Sequence, residues 1–121
     1  MPLADYLVAT TARGDYGSRM RQFMEDYDFL MMPSVAVPAF EAGVLSPFPD
    51  DGNAWLGWTP FTYPINLTQQ PAASIPCGFT TEGLPVGLQI VGRMFDDRGV
   101  LAASRAYEKT HPLFGRVPPG F

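Results

Sequence analysis

The protein has 121 residues, 46% hydrophobic and 17% charged, with a mean hydropathy of +0.01, which is enough apolar material for one small domain and too much for a disordered tail. Its net charge of −4 divides into −2 over residues 1–32, −4 over 33–92, which hold no Lys or Arg, and +2 over 93–121; without a basic stripe interleaved with aromatics, no nucleic-acid groove is expected. The apolar runs are far short of the ~20 residues of a membrane span, and Asp5 interrupts the only apolar stretch that could open a signal peptide. A single cysteine, Cys77, excludes an internal disulfide and a zinc–cysteine cage and suits a reducing cytoplasm. The 13 prolines are about twice the usual ~5% share, so much of the chain is expected to be irregular.

Helical spacing opens the chain. Leu3, Tyr6, Leu7 and Thr10 recur at i, i+3, i+4 and i+7, and Met20, Phe23, Met24 and Tyr27 repeat the pattern, which predicts helix over 3–27. Gly14 and Gly17 interrupt it at roughly 1 kcal/mol each, leaving either one weakened helix or two with a break near Gly14. Arg13, Arg19 and Arg21 fall on the wet side. The period then changes: Phe29, Leu30, Met31 and Met32, stopped by Pro33, predict a strand over 28–32 buried on both faces.

From 33 to 60 the chain is rich in Pro and Gly and keeps no period, as a long ordered loop or lid would, with a turn at Asp50, Asp51, Gly52 and Asn53. A helical turn fits around Ile65–Thr68. Ala72–Phe79 and Val86–Gly92 read as strands flanking a turn at Thr80–Pro85, so a hairpin is predicted over 73–92, with Pro76 marking an edge or a bulge. Asp96 and Asp97 offer an N-cap to a helix over 97–109 whose face holds Val100, Leu101, Ser104 and Tyr107. Lys109 and His111 sit at its C-terminal end, where positive charge suits the helix dipole.

Few of these residues make a chemical constellation. Cys77 and His111 are the sole Cys and the sole His. A nucleophile pair competes with a small buried strand thiol and a helix-end cation; no helix N-terminus lowers the thiol pKa at Cys77, which favours the second reading. Asp96 and Asp97 suit a cap better than an acid–base pair. Asp50–Asn53 lacks the later Glu of a calcium loop, and Gly83–Gly87 lacks the Lys and Ser/Thr of a phosphate loop. Ser34, Ser46, Ser74 and Ser104 have no base beside them in sequence. No cofactor or metal is expected.

The run Asn66-Leu67-Thr68-Gln69-Gln70-Pro71-Ala72-Ala73-Ser74-Ile75-Pro76-Cys77-Gly78, followed by Gly83-Leu84-Pro85-Val86-Gly87-Leu88-Gln89-Ile90-Val91-Gly92, resembles the C-terminal hallmark of the amidase signature family. Tyr27–Pro33 resembles the strand before it, Arg13 falls where the long preceding helix commonly carries Arg, and Phe95–Glu108 resembles the closing helix. The likeness runs in order from about Asp5 to Phe114.

It implies an α/β fold: the C-terminal part of the amidase signature fold, a mixed β-sheet flanked by helices, incomplete on its own. It also implies amide hydrolysis by a Ser–cis-Ser–Lys triad with a Gly/Ser-rich oxyanion loop, parts that belong to the family's N-terminal two thirds. This chain has only Lys109 and no such loop, so no catalytic residue carries over. What does carry over is substrate binding, by a stretch over 59–71 whose Thr59, Phe61, Thr62, Tyr63 and Asn66 map onto the acyl-pocket lining; packing of Phe61 and Tyr63 as plain core is the competing reading. Gln69 departs from the family's usual Gly. The glutamyl-tRNA amidotransferases of the family tend to carry an acid near the position of Thr59, so Trp58 and Thr59 favour a general amidase with apolar substrates.

The resemblance thus points to an amidase segment that meets an amide substrate only together with the family's N-terminal part. The alternatives are a short non-catalytic binding or oligomerisation module, or part of the A-type chain of a glutamyl-tRNA amidotransferase. Strands apolar on both faces with few helices to cover them also predict self-association. A cytoplasmic location is expected.

Overall fold

The computed structural model describes residues 1–48 and 56–113; the turn predicted at Asp50–Asn53 lies outside them. Helix α1 runs Leu3–Phe23 without a break and tightens into a 3-10 turn over Met24–Asp26. Gly14 faces open space, but Gly17 is buried with Thr68 backbone atoms 4.0 Å from where a Cβ would stand. The missing side chain lets α1 lie against α2 (Tyr63–Thr68), and this packing offsets the helix propensity that glycine forfeits. Arg13, expected on the wet side, reaches across that junction and donates from Nε to the Leu67 carbonyl at 3.1 Å.

Three strands, β1 (Phe29–Pro33), β2 (Ala72–Phe79) and β3 (Pro85–Gly92), form one sheet in the order β1-β3-β2. Both pairings are antiparallel; a mixed sheet, as the resemblance implies, needs strands besides these. The β2–β3 turn is closed by Thr80, whose amide donates to the Leu84 carbonyl at 2.8 Å and whose Oγ1 accepts from the Glu82 and Leu84 amides. Gly83 supplies the left-handed residue there, at φ 85°. Pro76 pairs with Gly87 and Gly78 with Val86, which leaves Cys77 as the extra residue of a bulge. A proline that cannot donate to the ladder sits beside the irregularity on an edge strand.

Helix α3 (Asp97–Thr110) covers one face of β2 and β3. Its N-cap is Asp96, whose Oδ1 accepts from the Gly99 amide at 2.9 Å. Of the face expected from periodicity, Val100 and Ser104 are buried and Tyr107 is half-buried, while Leu101 is 68% exposed. Arg93, directly after β3, ties the end of α1 to the sheet: Nε donates to the Met24 and Tyr27 carbonyls, 3.1 Å each, and Nη2 meets Asp28 Oδ1 at 3.3 Å. The ion pair is exposed and worth little; the carbonyls it caps at the helix end are the larger gain.

Among the described residues the buried apolar core is Met24, Ile65, Ile75, Ile90, Val91 and Val100, centred on β3. Strand β1, predicted to be buried on both faces, is not: Phe29, Leu30 and Met32 are half-buried and Met31 is 53% exposed. α3 makes its main contacts with β2 and β3 rather than with β1.

Candidate functional site

The stretch after the Pro-rich loop descends through a series of short turns. The Thr59 amide donates to the Leu56 carbonyl, the Thr62 amide to that of Thr59 at 3.2 Å, and the Asn66 amide to that of Thr62 at 3.1 Å. Thr62 Oγ1 also donates to the Thr59 carbonyl at 3.3 Å. Pro64 then occupies an early helical position, where its missing amide costs nothing, and Ile65 and Thr68 turn inward.

Of the five residues expected to line an acyl pocket, Thr59, Phe61 and Thr62 are half-buried and Tyr63 and Asn66 are exposed. Tyr63 and Asn66 belong to α2, whose buried residues are Ile65 and Thr68. The Phe61 carbonyl accepts from Gln89 Nε2 of β3 at 2.8 Å. Trp58 stacks edge-on against Phe40, centroids 5.4 Å apart, and its indole N–H is buried without a partner among the described residues.

A cleft of about 670 Å³ lies elsewhere, lined by Arg21, Gln69, Gln70, Pro71, Met94, Phe95 and Asp97. The Gln70 amide is buried with no hydrogen-bond partner among the described residues. Among the described residues, Gln69 and Phe95 are the non-glycine residues with positive φ, at 63° and 67°. Gln69 closes α2 as a left-handed C-cap, its amide donating to the Ile65 carbonyl at 2.9 Å. This geometry accounts for the glycine that the family usually places at Gln69, since only glycine adopts it without steric cost. Gln69→Gly should therefore stabilise the protein by about 0.5–1 kcal/mol, read as a higher denaturation midpoint; a lower midpoint would mean that the Gln69 side chain contributes more than its backbone loses.

The other candidates resolve into local partnerships. Cys77 Sγ donates to the Val86 carbonyl at 3.4 Å, and His111 stacks on Tyr107 with centroids 4.4 Å apart while its Nδ1 meets Thr110 Oγ1 at 2.9 Å. Each is held by its own neighbours. A pair that the sequence does not reveal is Ser34 and Ser74, whose hydroxyls are 2.6 Å apart. They meet over Gly87, where any Cβ would come within 2.7 Å of Ser34 Oγ. Forty residues separate them in sequence, so only the β1-β3-β2 order brings them together. No lysine or histidine hydrogen-bonds either hydroxyl among the described residues, which also contain no cluster of metal-binding side chains and no helix long and apolar enough to cross a membrane.

The arrangement of α1, the sheet and α3 recurs in solved structures. The A chain of the glutamyl-tRNA(Gln) amidotransferase of Thermotoga maritima superposes with a TM-score of 0.78 at 35% identity over 90% of this chain and 23% of its own. A 6-aminohexanoate cyclic dimer hydrolase gives 0.81 at 26% identity over 98% of this chain and 27% of its own. Among curated relatives, the corresponding glutamyl-tRNA(Gln) amidotransferase chain of Myxococcus xanthus is 41% identical over 96% of this chain and 23% of its own length. The acylamidase of Rhodococcus erythropolis is 37% identical over 91% and 24%. The chain thus spans about a quarter of the length of the relatives it matches, in their C-terminal portion. With the Amidase family model matching residues 3–101 and its hallmark run laid along α2, β2 and β3, the chain belongs to the amidase signature family.

Proposed function

We propose that these residues form a substrate-pocket wall and part of the sheet of an amidase that converts an amide and water to a carboxylate and an amine or ammonia. The observation that carries this reading is the Thr59–Asn66 stretch, anchored over the sheet by the Gln89–Phe61 bond and leading directly into the family's hallmark run. Thr59, Phe61, Thr62, Tyr63 and Asn66 are the pocket residues in this reading. The reacting groups come from the family's N-terminal part, because Lys109 is the only lysine and is exposed near the end of α3. The amide substrate therefore binds only when that part is present. Self-association, no nucleic-acid partner and a cytoplasmic location complete the reading.

A second reading, part of the A-type chain of a glutamyl-tRNA amidotransferase, is favoured by the names of relatives 39–44% identical to the chain. Trp58 and Thr59 favour the hydrolase, since neither supplies an acid to hold the amino group of glutamine.

The purified 121-residue chain should show no turnover of simple aryl or alkyl amides, because loss of a whole triad forfeits most of a roughly millionfold enhancement. Turnover that survives both Cys77→Ala and Lys109→Ala would overturn the assignment of the reacting groups to the N-terminal part.

A further inference from the structure

We infer that Gln89 is the positioning residue of the pocket wall, the side chain that fixes where Phe61 and Thr62 stand; this rests on the pocket reading above. Gln89 lies in the central strand, paired with Met32 on one side and Ser74 on the other, and is 6% exposed. A buried amide in a sheet costs free energy unless it is bonded, and its Nε2 donates at 2.8 Å to the Phe61 carbonyl. The orientation of the amide is fixed by chemistry, since a carbonyl can only accept and only the nitrogen of the amide can donate.

The consequence falls on the loop. Phe61 precedes α2, and its carbonyl would need water or a side chain if Gln89 did not reach it. A strand held on both sides is among the least mobile parts of a fold, so the bond passes the rigidity of β3 to a segment of short turns whose start is tied separately, by the Ala36 amide donating to the Trp58 carbonyl at 3.1 Å. Thr62, one residue on, is the N-cap of α2, and its carbonyl receives the Asn66 amide. The same anchor therefore sets the start of the helix that carries Tyr63 and Asn66. A shift at Phe61 moves all the pocket residues after it together, which makes Gln89 a determinant of pocket shape without being part of its lining.

The test is amide hydrogen exchange on the whole chain, with the Thr62 and Asn66 amides as reporters and the Val100 amide, bonded to the Asp96 carbonyl at 3.1 Å in α3, as reference. Gln89→Met keeps bulk and removes the donor; protection at Thr62 and Asn66 should fall roughly tenfold while Val100 is unchanged. Gln89→Glu adds a pH signature that plain packing does not have. A protonated carboxyl still donates to the Phe61 carbonyl, whereas a carboxylate cannot donate and repels it. Protection at the two reporters should therefore be native-like at low pH and fall to the Gln89→Met level as pH rises, measured against Gln89→Met at each pH. Unchanged protection at the reporters, an equal loss at Val100, or a Gln89→Glu profile parallel to that of Gln89→Met would each overturn the inference. None of these readouts involves an amide substrate, so failure of the pocket reading appears separately, in turnover.

Discussion

Gly92→Ala should cost the chain about 2–3 kcal/mol, a large share of the roughly 5–15 kcal/mol that holds a typical domain folded. The added Cβ would stand 2.6 Å from Val100 Cγ2, 3.4 Å from the Asp96 carbonyl oxygen and 3.6 Å from Pro71 Cγ. Val100 is 3% exposed and β-branched, with one preferred rotamer in a helix, so it cannot swing aside. The collision must be relieved by moving α3 away from the sheet. That movement would strain the cap at Asp96 and the bond from the Gly92 amide to the Pro71 carbonyl, 2.9 Å long, which joins β3 to the start of β2. Gly14→Ala is the matched control: nothing lies within 4 Å of its would-be Cβ, and an exposed helical glycine gives up about 0.5–1 kcal/mol to alanine. Chemical denaturation should therefore show opposite shifts for the two substitutions, and a Gly92→Ala protein as stable as the parent would mean that β3 and α3 pack more loosely than the Gly92–Val100 approach requires.

Gly92 also illustrates what could be read before the structure. The period of Val86–Gly92 and the turn residues before it mark a strand and a hairpin, and Asp96 and Asp97 mark the helix that follows, because these signals are local. The close approach of Gly92 to Val100 is not local; it depends on which face of β3 looks toward α3. Gln89 is hidden for the same reason. In sequence it is one polar residue within an apolar strand, and only the approach of the Phe61 carbonyl, 28 residues away, gives its amide a partner. The Ser34–Ser74 pair needs the strand order as well. Gly14 and Gly17 both weaken helix propensity, and at Gly17 a tertiary contact with Thr68 compensates for it. The left-handed cap at Gln69 is signalled by a departure from a family pattern, whereas its physical cause, a helix ending in αL, is a matter of backbone angle.

The isolated chain should not be a well-behaved monomer. β1 and β2 are the edges of the sheet, and they are unequal as templates. β2 is protected by Pro76 and the bulge at Cys77, two devices that discourage a further strand. β1 has neither within Phe29–Met32, and Met31 stands 53% exposed on it. Leu3 and Val8 on α1 are 72% and 70% exposed, and Phe95 beside the cleft extends almost wholly into solvent. Apolar surface of this extent recruits cover, and an unprotected edge supplies the hydrogen bonds to hold it. Sedimentation over a wide concentration range should show species heavier than 13.3 kDa that grow with concentration. Met31→Lys places a charge on that edge and should shift the distribution toward the monomer with little loss of fold, because about half of the side chain is already in water and a lysine stem can cover the rest while its ammonium stays solvated. If the parent chain sediments as a sharp 13.3 kDa species at high concentration, melts cooperatively and binds no dye for exposed apolar surface, then the small core around β3 suffices and β1 needs no partner.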